Sequence, residues 1–193
     1  MSQSDQTLTV RMRLLLVAAI VAFTAAFAIL VWTDVTREGG EGLGETLSLT
    51  LGFASFFGIG MTIASRRPDH PIGWLFLAAG TYPLVQAALS ELGEMQMEEG
   101  SATLFVIAHT AFSWPALLGT LVVFVPLLFP TGRLPSPRWR WLAWTAGAAM
   151  GVMVVGGVFQ RDVCLSYDDA NACVESIANP WGFSWLPNVE ESA

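Results

Sequence analysis

Long apolar runs separated by short polar segments make up most of the chain. Five runs are long enough to consider as spans of a bilayer core of roughly 30 Å, which needs about 20 helical residues. Backbone groups in lipid must be paired within their own segment, so each run is predicted to be an α-helix. The pattern predicts an all-α integral membrane protein, a bundle of about five transmembrane helices at residues 14–32, 47–65, 74–90, 103–129 and 141–159.

Two of these runs have features beyond their length. The fourth contains Pro115 and Pro126, which predicts a tilted helix, a kink near Pro115 or an end that protrudes from the membrane. The first follows Arg11 and Arg13, as the apolar core of a signal peptide would, but it continues past the small-x-small sequence at residues 26–28. An uncleaved anchor helix is therefore preferred over a cleaved signal peptide.

The nine basic residues, all of them arginine, divide unevenly between the segments that connect the spans. Seven lie before the first span, between the second and third, or between the fourth and fifth, while Arg37 and Arg161 lie in the other segments. Cytoplasmic segments of membrane proteins carry the excess of arginine. We therefore predict a cytoplasmic tail at 1–13, a transmembrane domain at 14–159 and an extracytoplasmic segment at 160–193, which we expect to precede further helices of a longer protein.

The composition agrees with an integral membrane protein and excludes several kinds of functional site. The chain is 53% apolar and 13% charged with a net charge of −7, whereas a soluble domain usually has about 25% charged residues. It contains no lysine, which excludes the phosphate-binding loop with its invariant Lys and Schiff-base chemistry. We expect no catalytic, metal or cofactor site and no binding of nucleic acid.

The two predicted cytoplasmic turns combine arginine with proline, glycine and tryptophan. The first turn, residues 66–74, reads RRPDHPIGW, and the second turn, residues 128–140, reads LFPTGRLPSPRWR. Their prolines end one helix and fix the chain before the next. Stiff topology signals and a docking or signal-transmitting surface both fit this pattern. The candidate transmission residues are Arg66, Arg67, Pro71, Gly73, Trp74, Pro130, Gly132 and Arg133.

These two turns also carry a resemblance to a known family. RRPDHPIGWLF and LLFPTGRLPSPRWR resemble a paired signature in the N-terminal membrane region of certain bacterial sensor histidine kinases, and Asn179-Pro180-Trp181-Gly182 resembles a step before a further helix there. The similarity covers about residues 14–185, with Thr131 where the family often has Asp. It implies a dimeric input region in the bacterial plasma membrane. A response regulator would be reached only through a kinase domain that is not in these 193 residues.

His109 is predicted to lie in the fourth span, about 9 Å of helical rise from its outer end. An ionisable side chain at that depth is a candidate functional group. Proton sensing is one interpretation, and a hydrogen bond to Gln86, Thr110 or Tyr82 is the other. A bis-histidine haem site is rejected because the spans contain no second histidine.

Two further sets of residues are candidates for structural roles. Cys164 and Cys173, nine positions apart, predict a disulfide in an oxidising exterior, with two free thiols as the alternative. Ala143, Gly147 and Gly151 recur every four residues on the fifth span. Such a face allows close helix packing, either inside the bundle or in a homodimer.

The sequence favours a membrane-embedded sensory or regulatory module that relays a helix shift driven by a ligand or by lipid. Its expected partners are the lipid bilayer and a second copy of the chain. A small transporter or channel subunit is the alternative from another class, and a membrane scaffold is a further one. The spans carry few ionisable residues and no inverted repeat, which disfavours transport.

Overall fold

The computed structural model describes residues 3–36, 43–98, 100–111, 117, 119–168 and 173–184. Most of these residues are helical, which confirms the predicted helical class, and a two-stranded sheet is the addition that the sequence did not predict. The elements are α1 (Gln3–Thr36), α2 (Leu43–Arg66), α3 (Pro71–Glu98), α4 (Thr103–Ala111), a π-helical turn (Thr120–Phe124), α5 (Val125–Leu128), α6 (Trp139–Phe159), β1 (Asp162–Tyr167) and β2 (Cys173–Ala178).

Four helices of the described chain, α1, α2, α3 and α6, are long and apolar enough to cross a membrane. They contain the predicted spans 14–32, 47–65, 74–90 and 141–159, in agreement with the predicted membrane class. Two of them run well past the apolar residues. Helix α1 begins at Gln3, inside the predicted tail, and α3 continues to Glu98.

In the remaining predicted span, 103–129, the described residues up to Leu128 are helical, including Leu117 and Gly119. Helix α4 covers its start, and the π-helical turn and α5 cover its end. Pro126 has no N–H to donate to the carbonyl of Val122, so regular α-helical bonding is interrupted around it, which fits a π-helical turn at this point. Pro115 lies outside the described residues, so the kink there and the count of five spans stay predictions.

The described chain divides into two compact units, of which the first comprises residues up to 88 and residues 120–140. In this unit α1 and α2 run antiparallel. The rings of Phe23 and Phe57 stack with centroids 4.4 Å apart, and the Thr46 hydroxyl donates a hydrogen bond to the carboxylate of Asp34. Phe23 and Asp34 are as far apart on α1 as Thr46 and Phe57 are on α2. The register between the two helices is therefore the same at both contacts.

Helices α2 and α3 approach so closely that only glycine fits at several contacts. A Cβ atom added to Gly60 would overlap the backbone nitrogen of Leu77, and one added to Gly80 would overlap the backbone of Phe57. A Cβ on Gly73 would lie 2.8 Å from a backbone nitrogen of α2. Small residues allow this kind of backbone-to-backbone packing between membrane helices. In the same unit, Ala26 and Leu30 of α1 and Leu84 and Ala88 of α3 form a buried apolar cluster.

The second unit comprises residues 89–119 and 141–193, as far as they are described. Its core is formed by Phe105 and Val106 of α4 and Val163 of β1, all buried. Strands β1 and β2 are antiparallel, with Val163 opposite Ile177. A disulfide joins Cys164 to Cys173, with Cα atoms 5.8 Å apart, and closes the hairpin. The predicted polar segment after α6 therefore begins with a cross-linked β-hairpin.

The segment after β2 returns to the end of α6 and binds it. The side-chain amide of Asn179 donates hydrogen bonds of 2.8 Å to the carbonyls of both Val158 and Gln160. These are carbonyls at a helix end that have no partner in the helix itself. Gly182 lies against the same backbone, where a Cβ would come within 2.5 Å of the Gln160 oxygen. The Asn-Pro-Trp-Gly segment thus caps α6.

Candidate functional site

The first turn is fixed by hydrogen bonds within it. The backbone N–H of Arg67 donates to the carbonyl of Ile63 at 2.7 Å, and that of His70 donates to the carbonyl of Arg67 at 3.0 Å. The indole N–H of Trp74 donates to the carbonyl of Pro68 at 2.8 Å. The tryptophan singled out in the sequence therefore anchors α3 to the turn that precedes it.

The second turn is built around Gly132, which has a φ of +71°. Side chains disfavour this left-handed backbone, at a cost of roughly 1–2 kcal/mol. The Gly132 N–H donates to the carbonyl of Leu128 at 2.7 Å, and the Arg133 N–H donates to the hydroxyl of Thr131 at 3.3 Å. A threonine hydroxyl makes this local turn bond as an aspartate would, only more weakly. Thr131 thus supports the turn without a carboxylate.

The structure brings the two turns into contact. The Nε2 atom of His70 lies 3.1 Å from the carbonyl oxygen of Pro130. A Cβ added to Gly132 would lie 2.9 Å from Cδ of Pro71 and 3.1 Å from the His70 ring. Pro71, Pro130 and Gly132, all selected from the sequence, therefore meet at one point.

His70 is the residue of this contact that the sequence analysis did not select. A carbonyl oxygen only accepts hydrogen bonds, so Nε2 must carry the proton that His70 donates to Pro130. The Nδ1 atom is buried and has no hydrogen-bond partner among the described residues. A buried polar atom without a partner is uncommon in folded proteins and costs free energy. The one sequence signal was its position immediately before the proline that begins α3.

The arginines of both turns are exposed. Arg66 and Arg67 at the end of α2 are exposed, and so is Arg133 beside Gly132. Arg138 and Arg140, at the end of the second turn, are exposed as well. The two turns in contact therefore carry several exposed positive charges.

His109 lies apart from this contact, on α4 in the second unit. Its ring stacks on that of Phe105 with centroids 4.0 Å apart, and its Nδ1 donates to the Phe105 carbonyl at 3.1 Å. Thr110, one of the partners considered from the sequence, donates instead to the carbonyl of Val106 at 2.6 Å. The hydrogen bond of His109 is thus within its own helix, and a sensing role stays a prediction.

The small-residue face of α6 has no tight contact at Gly151. A Cβ added there would meet no atom within 4 Å. Gly151 instead lines an open apolar groove of about 510 Å³ together with Ala148, Val152, Val155, Gly156, Phe159 and Phe183. Close packing at this face stays a prediction, whereas close glycine packing is found between α2 and α3.

The described residues contain no group of three or more His, Cys, Asp or Glu side chains that could hold a metal ion. The chain matches no protein-family model, no curated protein and no solved structure.

Proposed function

We propose that this chain is a membrane-embedded sensory or regulatory module of the bacterial plasma membrane, with its N-terminus and both arginine-rich turns in the cytoplasm. It receives a ligand- or lipid-driven shift of its helices and passes it to the cytoplasmic side through the two turns. The resemblance of these turns to the input region of sensor histidine kinases supports the proposal. Output then depends on a partner or a further domain that contacts the turns.

The observation that carries the proposal is the contact between the turns. Helix α2 ends and α3 begins at the first turn, while α5 ends at the second. His70 binds Pro130, and Gly132 leaves no room for a side chain against Pro71. A shift of any of these helices therefore changes the position of both turns together. Such rigid, mutually packed elements are what a two-state relay needs.

Replacement of Gly132 by valine tests the relay. Valine adds a clash with Pro71 and strains the left-handed backbone, so the two turns separate while the helices stay inserted. The native gene is deleted, and cells are compared by transcript profiling across a panel of envelope stresses. Wild-type protein and Gly58→Ala should restore the profile, because a Cβ at Gly58 meets nothing within 4 Å. Gly132→Val should fail to restore it at equal protein level.

Two results would contradict the relay. One is a deletion strain whose transcripts equal those of the parent under every stress. The other is full restoration by Gly132→Val. Solute flux that the purified protein supports in proteoliposomes would favour the transporter alternative instead.

The orientation is tested separately by labelling. Single cysteines replace Asp69, Gln96, Ser136 or Asp168 in a protein whose two native cysteines are serine. An impermeant maleimide should react in intact cells at 96 and 168, whereas 69 and 136 should react only after the cells are opened. Reaction at 136 in sealed cells would reverse the proposed topology.

A further inference from the structure

One end of the first unit gathers arginines from three parts of the chain. The register of α1 and α2, defined by the contacts Phe23–Phe57 and Asp34–Thr46, places Arg13 level with Arg67 when it is extended to the helix ends. The contact of His70 with Pro130 brings the second turn to the same end. We call the resulting group the arginine face, which consists of Arg11, Arg13, Arg66, Arg67, Arg133, Arg138 and Arg140.

The arginine face is exposed, and its charge is not neutralised by the residues that the structure describes. All seven side chains are exposed, and none of them forms a hydrogen bond or ion pair with another residue of the described chain. Asp69 is the one acidic residue in the two turns. By contrast, Arg161, which lies outside the face, is paired with Asp162 at 3.4 Å. The face therefore presents an excess of positive charge that an anionic ligand can neutralise.

The surroundings of the arginine face indicate what that ligand is. Leu14 and Leu15, directly after Arg13, are 62% and 57% exposed, and Phe129 in the second turn is 68% exposed. Apolar side chains exposed on membrane helices face acyl chains, and arginines next to them extend to the headgroup level. A guanidinium group there matches a phosphate with two parallel hydrogen bonds.

We propose that the arginine face binds the phosphate groups of anionic phospholipids in the adjoining leaflet. The packed turns fix the backbone positions of Arg66, Arg67 and Arg133 relative to one another, so less backbone freedom is lost when the headgroup binds. Each arginine near an anionic surface contributes on the order of 1 kcal/mol, about a fivefold preference for the anionic lipid. This inference does not rest on the proposed sensory function.

Spin-labelled lipids measure the preference directly. The full protein is reconstituted in phosphatidylcholine bilayers, and the association of spin-labelled phosphatidylglycerol is compared with that of spin-labelled phosphatidylcholine. Wild-type protein should prefer phosphatidylglycerol. The triple variant Arg66→Gln/Arg67→Gln/Arg133→Gln should lose that preference by about tenfold or more, whereas the control Arg161→Gln should keep it. A triple Lys variant should keep most of it, because charge is retained and only bidentate binding is lost.

Three outcomes would overturn the inference. The first is a wild-type protein without preference for phosphatidylglycerol. The second is a triple Gln variant that keeps the preference while its circular dichroism and melting match the wild type. The third is loss of the preference in sodium phosphate but not in sodium chloride of equal ionic strength, since the face would then be a site for free phosphate rather than for lipid.

Discussion

The α2–α3 pair and helix α6 are both apolar enough to cross a membrane, yet they are held in different ways. In the most apolar stretch of α3, 44% of the residues are buried, whereas none is buried in that of α6. Glycines at the α2–α3 contact touch backbone atoms of the other helix, while Gly151 and Gly156 of α6 meet nothing within 4 Å. The sides of α2 and α3 are therefore closely packed, whereas the side of α6 has few close contacts.

Helix α6 is fixed mainly at its end. Asn179 binds two carbonyls at its last turn, and the disulfide between Cys164 and Cys173 closes the hairpin that connects α6 to Asn179. The side of α6 has a lesser contact, where a Cβ on Gly157 would lie 3.2 Å from the Thr110 carbonyl oxygen. Glycines on an apolar helix therefore do not by themselves identify a packed face, because they occur in both regions.

The largest effect should come from adding a methyl group to the packed region. Gly60→Ala or Gly80→Ala forces the backbones of α2 and α3 apart, and each change should lower the free energy of unfolding by about 3 kcal/mol. The measurement is denaturant unfolding of the purified protein in mixed micelles. Gly58→Ala is the matched control, because Gly58 is two residues from Gly60 but a Cβ there would lie in open space. It should not lower the free energy of unfolding. Equal stability of all three variants would mean that α2 and α3 are not packed through glycine.

Removal of the disulfide should have the next largest effect, and it should be confined to the second unit. A bridge between cysteines nine positions apart contributes about 2–3 kcal/mol, mainly by restricting the unfolded chain. Cys164→Ser/Cys173→Ser should therefore increase hydrogen exchange in the hairpin and leave α2 and α3 unchanged. Reduction of the wild type should produce the same pattern. Alkylation of both cysteines without prior reduction would show that the bridge is absent.

Loss of the cap on α6 should have a somewhat smaller effect on stability than removal of the disulfide. Asn179→Ala leaves the carbonyls of Val158 and Gln160 without their donors in a buried place, which costs about 2 kcal/mol. Asn179→Asp keeps the oxygen that accepts the Trp181 N–H but has no N–H to donate, so it should lose as much. Hydrogen exchange at the end of α6 measures the effect. An Asp variant as protected as the wild type would disprove the cap.

The smallest effect is expected on the open side of α6. Gly151→Ala should change the free energy of unfolding by no more than about 0.5 kcal/mol, as for other exposed positions. A larger loss, together with a shift from dimer to monomer in analytical ultracentrifugation, would show that a second copy packs against this face. In that case α2 and α3 would pack against each other within one chain, whereas α6 would pack against a second copy of the chain.

Much of the fold followed from the sequence by local rules. A run of apolar residues is stable in lipid whatever surrounds it, so the ends of four long helices were predictable to within a few turns. Pro71 and Pro130 marked two turns for the same reason, because proline restricts the chain at its own position. The pairing of Cys164 with Cys173 needed only that there be two cysteines close in sequence.

Which of these parts touch one another depends on how the helices pack, and the sequence pattern does not contain that information. The contact of His70 with Pro130, the choice of Gly60 and Gly80 over Gly151 as packing sites, and the cap that Asn179 places on α6 were not visible in the pattern. In water a buried face is marked by apolar residues, but lipid is as apolar as the interior of a helix bundle. A membrane helix is therefore equally apolar in sequence whether its side meets lipid or another helix. The two cases differ only in the folded protein, where the positions of the backbones determine which sides are in contact.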